Sequence, residues 1–476
     1  MAVSAFSSCN RIGWNWISKT RRHTACDEIF HCGVDAALFP SEDGATQLMG
    51  GMTNMIQDNS TSQKVIVNGR AYAPPQRPAA VICLDGCDPD YLAAGLAAGE
   101  LPGFARIAQE GFAGEALATL PTFTNPNNCS LVTGASPSVH GVSGNFYLDR
   151  STGETVMVTG GKELRAPTIL AGMAQAGVPT AVVTAKDKLR DALAKGLPIG
   201  PLGIAVSAQN ANAARTDTHG IDDLPGLVGR REPDQYSADL SLFVLDVGVR
   251  LLEEGHARLL YLSLSDYVQH RFAPSAPEAH DFYRAVDVRI RRFMELGCLI
   301  GATADHGMHD MARPDNTPNV IFVGDVLDAR FGFGTCRVIC PITDPFVRHH
   351  GALGGFVRVH IGAGGPSAGD VIAHLSSFPE MEEVLTGAEA CARHDLSPEM
   401  EGDVTVIARL GVALGARAAE HDLSALAGER LRSHGGIAEQ RVPFLVSAPL
   451  DPVWRTAHPR LRNYDIFDAA LNGAIA

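Results

Sequence analysis

Three acidic residues stand just beyond short apolar runs that lie far apart in the chain. Asp85 follows Ala79-Ala-Val-Ile-Cys-Leu84, Asp266 follows Leu259-Leu-Tyr-Leu-Ser-Leu264, and Asp305 follows Leu299-Ile-Gly-Ala-Thr303. His270 comes four residues after Asp266, His306 directly after Asp305, and a further histidine sits in Ser433-His434-Gly435-Gly436. Three Asp and three His are the ligand inventory of two divalent ions, because carboxylate oxygen and imidazole nitrogen both bind such ions at about 2.0–2.2 Å. Thr124, within Pro121-Thr-Phe-Thr-Asn-Pro-Asn-Asn128, offers a hydroxyl that metal coordination can turn into a nucleophile. The combination points to two-metal phosphoryl or phosphonyl transfer.

Such convergence requires a scaffold that brings distant residues to one edge. Strands that are apolar throughout are buried on both faces, as in a parallel sheet covered by helices. The runs 79–84, 179–184, 259–264 and 299–303 read as such strands, 442–447 as a late one, and 64–70 as a short edge strand with a turn. Helical segments are predicted over 91–99 and 103–111, and apolar residues recur at helical spacing from Ala279 to Leu296. Ligands in open α/β sheets gather beyond the strand C-termini, so Asp85, Asp266 and Asp305 are expected on one rim. The i,i+4 spacing of Asp266 and His270 puts both on one face of a helical turn. A second helix is predicted over 127–132, with Pro126 at its entrance and free amides facing an anion. Thr124 could simply cap that helix, but beside two metals it is the preferred nucleophile over Thr122, which lies farther from the helix start.

Each fragment alone has a bland reading: an Asp-His pair can be a capped turn, Ser-His-Gly-Gly a loop, and His349-His350 structural. Asn145, in the turn Gly141-Val-Ser-Gly-Asn145, could donate its amide to a phosphoryl oxygen. Lys186 and Lys188 follow a strand and precede the helical pattern 189–194; they are either solvated lysines or a clamp for a second anionic group, which a carboxylate would suit.

With 476 residues and 45% hydrophobic content the chain can bury a large core. Its net charge of −14 disfavours nucleic acid and anionic membranes as partners, and no apolar run reaches a membrane span. The ten cysteines are scattered, as in a cytoplasmic protein with reduced thiols. Residues 1–60 read as a disordered or loosely attached extension, with Met52 or Met55 an alternative start. The metal-binding α/β core is assigned to 61–312 and 431–476, and the Gly- and Pro-richer stretch 313–430 to an inserted cap.

At Asp85, Thr124, Asp266-x-x-x-His270, Asp305-His306 and Ser433 to Gly436 the chain resembles the alkaline phosphatase superfamily. Leu84-Asp-Gly-Cys-Asp-Pro-Asp90, Pro121 to Asn128, His140 to Asn145 and Thr184-Ala-Lys-Asp-Lys-Leu-Arg190 narrow the resemblance to its phosphonoacetate hydrolases, over residues 64–476. That resemblance implies an alkaline phosphatase-like core with a cap. It implies one metal on Asp85, Asp305, His306 and Thr124, and another on Asp266, His270 and His434. Zinc is the expected ion, with manganese or iron as substitutes. It further implies a small phosphonate substrate contacted by Asn145, Lys186, Lys188 and His270, hydrolysis of its carbon–phosphorus bond through a phosphothreonine, and a role in phosphonate catabolism; a homodimer is compatible with it. Two alternatives are a nucleotide pyrophosphatase or phosphodiesterase on the same scaffold, and a non-catalytic metal- or phosphonate-binding protein.

Overall fold

The computed structural model describes residues 63–344, 350–426 and 428–475. The extension expected over residues 1–60, with its two alternative starts, and His349 lie outside the described residues.

Short, fully buried runs of Val, Ile, Leu and Ala build the scaffold, as expected for strands covered on both faces. In chain order the first six strands of interest are β1 (Ala79–Cys83), β2 (Phe112–Leu117), β3 (Thr180–Thr184), β4 (Gly203–Ser207), β5 (Leu259–Ser263) and β6 (Leu299–Thr303). Four more, β7 (Cys336–Ile339), β8 (Phe356–Ile361), β9 (Met381–Thr386) and β10 (Val404–Ala408), pair only with one another in an antiparallel sheet ordered β7-β8-β10-β9. The chain then returns through β11 (Arg441–Val446) to the first sheet, whose order is β2-β11-β6-β1-β5-β3-β4. The five strands from β6 to β4 are mutually parallel, while β11 runs antiparallel to both of its neighbours. The mainly parallel sheet flanked by helices is thus the architecture that the apolar runs predict.

Five helices matter for the site: α1 (Thr124–Thr133), α2 (Asp187–Leu193), α3 (Ala238–Glu253), α4 (Tyr267–Arg271) and α5 (Pro277–Glu295). On α5 the buried set Ala279, Phe282, Val286, Ile290 and Phe293 follows the helical period and packs into the main core with α3. Its buried acid, Asp287, accepts the backbone N–H groups of Gly103 and Phe104 at 3.0 and 2.9 Å, which leaves that carboxylate paired at the entrance of the helix Pro102–Glu110. The segment read as an edge strand with a turn is the hairpin Val65–Val67 and Arg70–Tyr72, turning at Asn68 and Gly69, both with positive φ.

The antiparallel sheet has its own apolar core, including Phe356, Val357, Val404 and Val406. It is stitched to the main body by Arg358, a fully buried side chain on β8. Its Nε donates to Glu401 at 2.7 Å and an Nη donates to the carbonyl of Ser143 at 2.7 Å, so the antiparallel sheet grips the loop that leads to Asn145.

Candidate active site

The last residues of the five parallel strands lie level. Thr303 pairs with Cys83, Cys83 with Ser263, Ser263 with Thr184, and Thr184 with Ser207. Each chain therefore leaves the sheet along one line, and residues two or three positions further on share a rim: Asp305 beyond β6, Asp85 beyond β1, Asp266 beyond β5 and Lys186 beyond β3. Asp266 then opens α4, and that single turn brings His270 Nε2 back to 3.0 Å from Asp266 Oδ2. His434 arrives from beyond β10, with its Nε2 3.9 Å from the same oxygen. His306 Nε2 lies 3.5 Å from Asp85 Oδ1 and 3.6 Å from Asp305 Oδ2. All six side chains are buried.

Donor atoms of Asp266, His270 and His434 lie within 4.8 Å of one another, and so do those of Asp85, Asp266 and His306. Asp266 therefore borders both groups, a sharing that the sequence did not foretell. The three imidazoles are oriented alike. His270 Nδ1 faces the Arg432 carbonyl at 2.8 Å, His306 Nδ1 the Gly307 carbonyl at 2.9 Å, and His434 Nδ1 the Thr122 carbonyl at 2.6 Å. A carbonyl only accepts, so each Nδ1 carries the proton and each Nε2 lone pair points into the cluster. A lone pair against a carboxylate oxygen is repulsive unless a cation lies between them. Burial, with the adjacent His306 and His270 rings, holds His434 well below the ordinary imidazole range, leaving it neutral as a ligand must be. Burial, with Asp266 and Asp305 close by, drives Asp85 well above the ordinary carboxylate range, and its buried Oδ1 has no hydrogen-bond partner. A buried trio of acids beside three inward-facing lone pairs is a donor set that fits divalent cations.

Thr124 is the first residue of α1 and the half-buried one; the nine that follow are all buried. The N-cap is Phe123, with no side-chain cap bond, so Thr124 does not serve as the cap. Its Oγ1 lies 3.4 Å from His306 Nε2 instead. The helix thus begins three residues earlier than predicted, with Pro126 inside its first turn. Thr122 is fully engaged elsewhere: its hydroxyl donates to the Gly436 carbonyl and accepts from the Gly435 N–H, both at 2.9 Å, fixing the loop that carries His434. Asn145 Oδ1 accepts the Asn125 N–H at 3.1 Å, which pins this amide beside the start of α1.

Asn128 is a residue whose part in the site the sequence reading missed. Its Nδ2 donates to Asp305 Oδ2 at 3.1 Å and to the Thr124 carbonyl at 3.0 Å. Its Oδ1 accepts from Tyr261 Oη at 2.7 Å and Ser263 Oγ at 2.8 Å, which fixes the orientation of the amide. One buried amide therefore joins β5, α1 and the acid beyond β6. The signal was present in Asn127-Asn128, but nothing local distinguishes an amide that reaches across 177 positions from one that faces water.

The lysines lie at the edge of the same cluster. Lys186 Nζ is 3.1 Å from Asp266 Oδ1; burial opposes its charge, but Asp266 and Asp85 outweigh that and raise its pKa. Lys188 pairs with Asp344. Burial and Lys186 pull the Lys188 ammonium down to about 7. His350 stacks on His270 with ring centroids 5.2 Å apart. A cavity of about 410 Å³ opens beside the lysines, lined also by Gln209, Gln235, Tyr236 and Tyr267.

Residues 79–331 match the family model of type I phosphodiesterase / nucleotide pyrophosphatase, more than half of the chain. The chain belongs to that family. Two crystal structures of phosphonoacetate hydrolase from Sinorhizobium meliloti 1021, one in complex with phosphonoformate and one with phosphonoacetate, are each 44% identical. The similarity covers 87% of this chain and 99% of theirs, with a TM-score of 0.83. A phosphonoacetate hydrolase from Penicillium oxalicum is 60% identical over 37 residues, a match to 7% of this chain and about half, 51%, of that relative's length. Human ectonucleotide pyrophosphatase / phosphodiesterase 5 shares the fold, with a TM-score of 0.56 at 15% identity over 84% of this chain and 96% of its own.

Proposed function

We propose that this chain hydrolyses the carbon–phosphorus bond of phosphonoacetate to acetate and phosphate. The observation that carries the reading is the placement of Lys186 on the strand next to that of Asp266, with its ammonium 3.1 Å from the acid. Cationic charge beside the proposed ligands would suit a second anionic group of a phosphonate, and the 44% identity to the Sinorhizobium meliloti enzyme supports the same substrate.

The phosphorus–carbon bond resists hydrolysis because its electron pair must leave on carbon. In phosphonoacetate that pair delocalises into the neighbouring carboxylate as an enediolate, and Lys186 with Lys188 would stabilise the charge where it develops. Thr124 Oγ1 bonds to phosphorus as the carbon leaves in line; the hydroxyl proton is lost and the carbon takes a proton to become acetate. Water then cleaves the phosphothreonine, giving phosphate and restoring the hydroxyl. Asn145 supplies amide donors to a phosphonyl oxygen, and His270 borders the substrate. Two divalent ions on Asp85, Asp305 and His306 and on Asp266, His270 and His434, with zinc the ion best suited to this oxygen–nitrogen set and manganese or iron the substitutes, would acidify the hydroxyl and offset charge on the phosphonyl oxygens. The same reading assigns the chain to cytoplasmic catabolism of small phosphonates.

Phosphate and acetate release from phosphonoacetate by the zinc-loaded chain tests the proposal. Thr124→Ala is expected to lower kcat by at least about 10³, as for loss of a nucleophile; turnover surviving that change would remove the phosphothreonine. A second reading, a nucleotide pyrophosphatase, draws on the family model and on Tyr236 and Tyr267 at the cavity, which could stack a base. Faster turnover of an aryl nucleotide ester than of phosphonoacetate would select it.

A further inference from the structure

The Lys186 side chain cannot hold its own backbone, and locally only the Thr184 hydroxyl, donating to the Lys186 carbonyl at 3.0 Å, steadies one of its two peptide planes. It is the N-cap of α2 and makes no side-chain cap bond, since an ammonium cannot accept the free N–H groups of a helix entrance. One residue on the neighbouring strand end supplies what is lacking. Gln209 lies two positions beyond β4, level with Lys186 two positions beyond β3. Its backbone N–H donates to the Ala185 carbonyl at 3.0 Å, and its side-chain Oε1 accepts the Asp187 N–H at 3.0 Å. Those two groups belong to the two peptide planes that flank Lys186, so a single residue fixes both rotations of the lysine backbone. Gln209 Nε2 in turn donates to Gln235 Oε1 at 2.8 Å, which determines which end of the amide faces the helix. The same strand end also deals with the acid between the lysines: Ser207 Oγ and Arg190 Nε donate to Asp187 Oδ1 at 2.8 and 3.0 Å.

We propose that Gln209, oriented by Gln235, is a positioning residue that sets Lys186 for the carboxylate-bearing half of the substrate. This rests on the phosphonoacetate reading above. The role differs from general support of the fold, because the proposed metal ligands lie beyond β1, β5 and β6, on α4 and in the loop of His434, and Thr124 opens α1, none of them on the strand ends that carry Lys186 and Gln209. Recognition of the phosphorus-bearing half should therefore be indifferent to it.

The test compares two constants on the zinc-loaded full chain: KM for phosphonoacetate, and the inhibition constant of inorganic phosphate, which lacks the carboxylate. Gln209→Leu keeps the bulk and removes the acceptor. It is expected to raise KM roughly tenfold, about the effect of one lost hydrogen bond, and to leave the phosphate constant within about twofold. Gln235→Leu alters an exposed residue that a folding defect does not complicate, and is expected to shift KM in the same direction by roughly threefold. Equal increases in both constants, or no change in KM for either variant, would overturn the assignment. Absence of phosphonoacetate turnover in the unmodified chain would instead remove the substrate reading and this inference with it.

Discussion

Lys186 serves two partners, and its loss should separate them. Its contact with Asp266 is a half-buried ion pair with one of the proposed ligands, while the proposed second task is to meet a carboxylate that only some substrates carry. Lys186→Ala is therefore expected to lower kcat/KM for phosphonoacetate by about 10²-fold, and that for a simple aryl phosphate ester by less than about tenfold. Equal losses on the two substrates would remove the carboxylate clamp. Asp85 makes the opposite kind of case. Burial and two neighbouring acids raise its pKa well above the usual carboxylate value, so in the metal-free protein its charge destabilises the fold. Asp85→Asn should raise the melting temperature of chelator-treated protein by a few degrees, for roughly 1–3 kcal/mol, while abolishing turnover. A lower melting temperature would mean that the acid cluster is not under strain.

At the level of elements, the loop that presents Asn145 is held on both sides: by Arg358 from the antiparallel sheet and by His140 against α1. Val142 N–H donates to His140 Nδ1 at 3.2 Å, so its Nε2 carries the proton and donates to Ser130 Oγ at 2.8 Å. Burial, with Arg165 nearby, lowers this imidazole to about 3. The folded pKa lies below the unfolded value near 6.5, so the unfolded chain binds the proton first. The contribution is complete above about pH 6.5 and falls by about 1.4 kcal/mol per pH unit toward pH 3. Urea midpoints of His140→Gln should show a shallower acid slope than the parent; coincident slopes would rule out this role. The elements legible in the sequence were those with one dominant signal. The strands β1, β3, β5 and β6 were short and apolar throughout, and α5 kept a strict helical period. β2 and β4 were not anticipated: Phe112-Ala-Gly-Glu-Ala-Leu117 mixes glycine and an acid on a half-exposed flank, and Gly203-Ile-Ala-Val-Ser207 is small-sided and closes the other edge. The three acids were legible because each lies just beyond a strong strand signal, and His270 and His306 through their spacing from those acids, whereas His434 sits in a loop and stood out only in combination with the others. Asn128, Gln209 and the Lys188–Asp344 pair were not, because each acts through a partner that only the fold supplies.

For the molecule as a whole, three acids packed into an interior repel one another and bound cations would offset that charge, so stability and metal loading should rise together. Zinc that binds the folded chain and not the unfolded one adds about 4 kcal/mol per site at a thousandfold excess over its Kd. Thermal scans should therefore show a melting temperature that climbs with free zinc and falls on chelation; a melting temperature indifferent to zinc would count against a metal site here. Asp85→Asn should blunt the climb. The levelled strand ends have a further consequence. The three central strands β6, β1 and β5 carry the acids, whereas β3 and β4, toward one margin, carry the lysine and its glutamine brace. On the proposed reading, reactivity and selectivity are mounted on different staves of one open sheet, so a descendant could exchange the outer pair for a new clientele without disturbing the inner three.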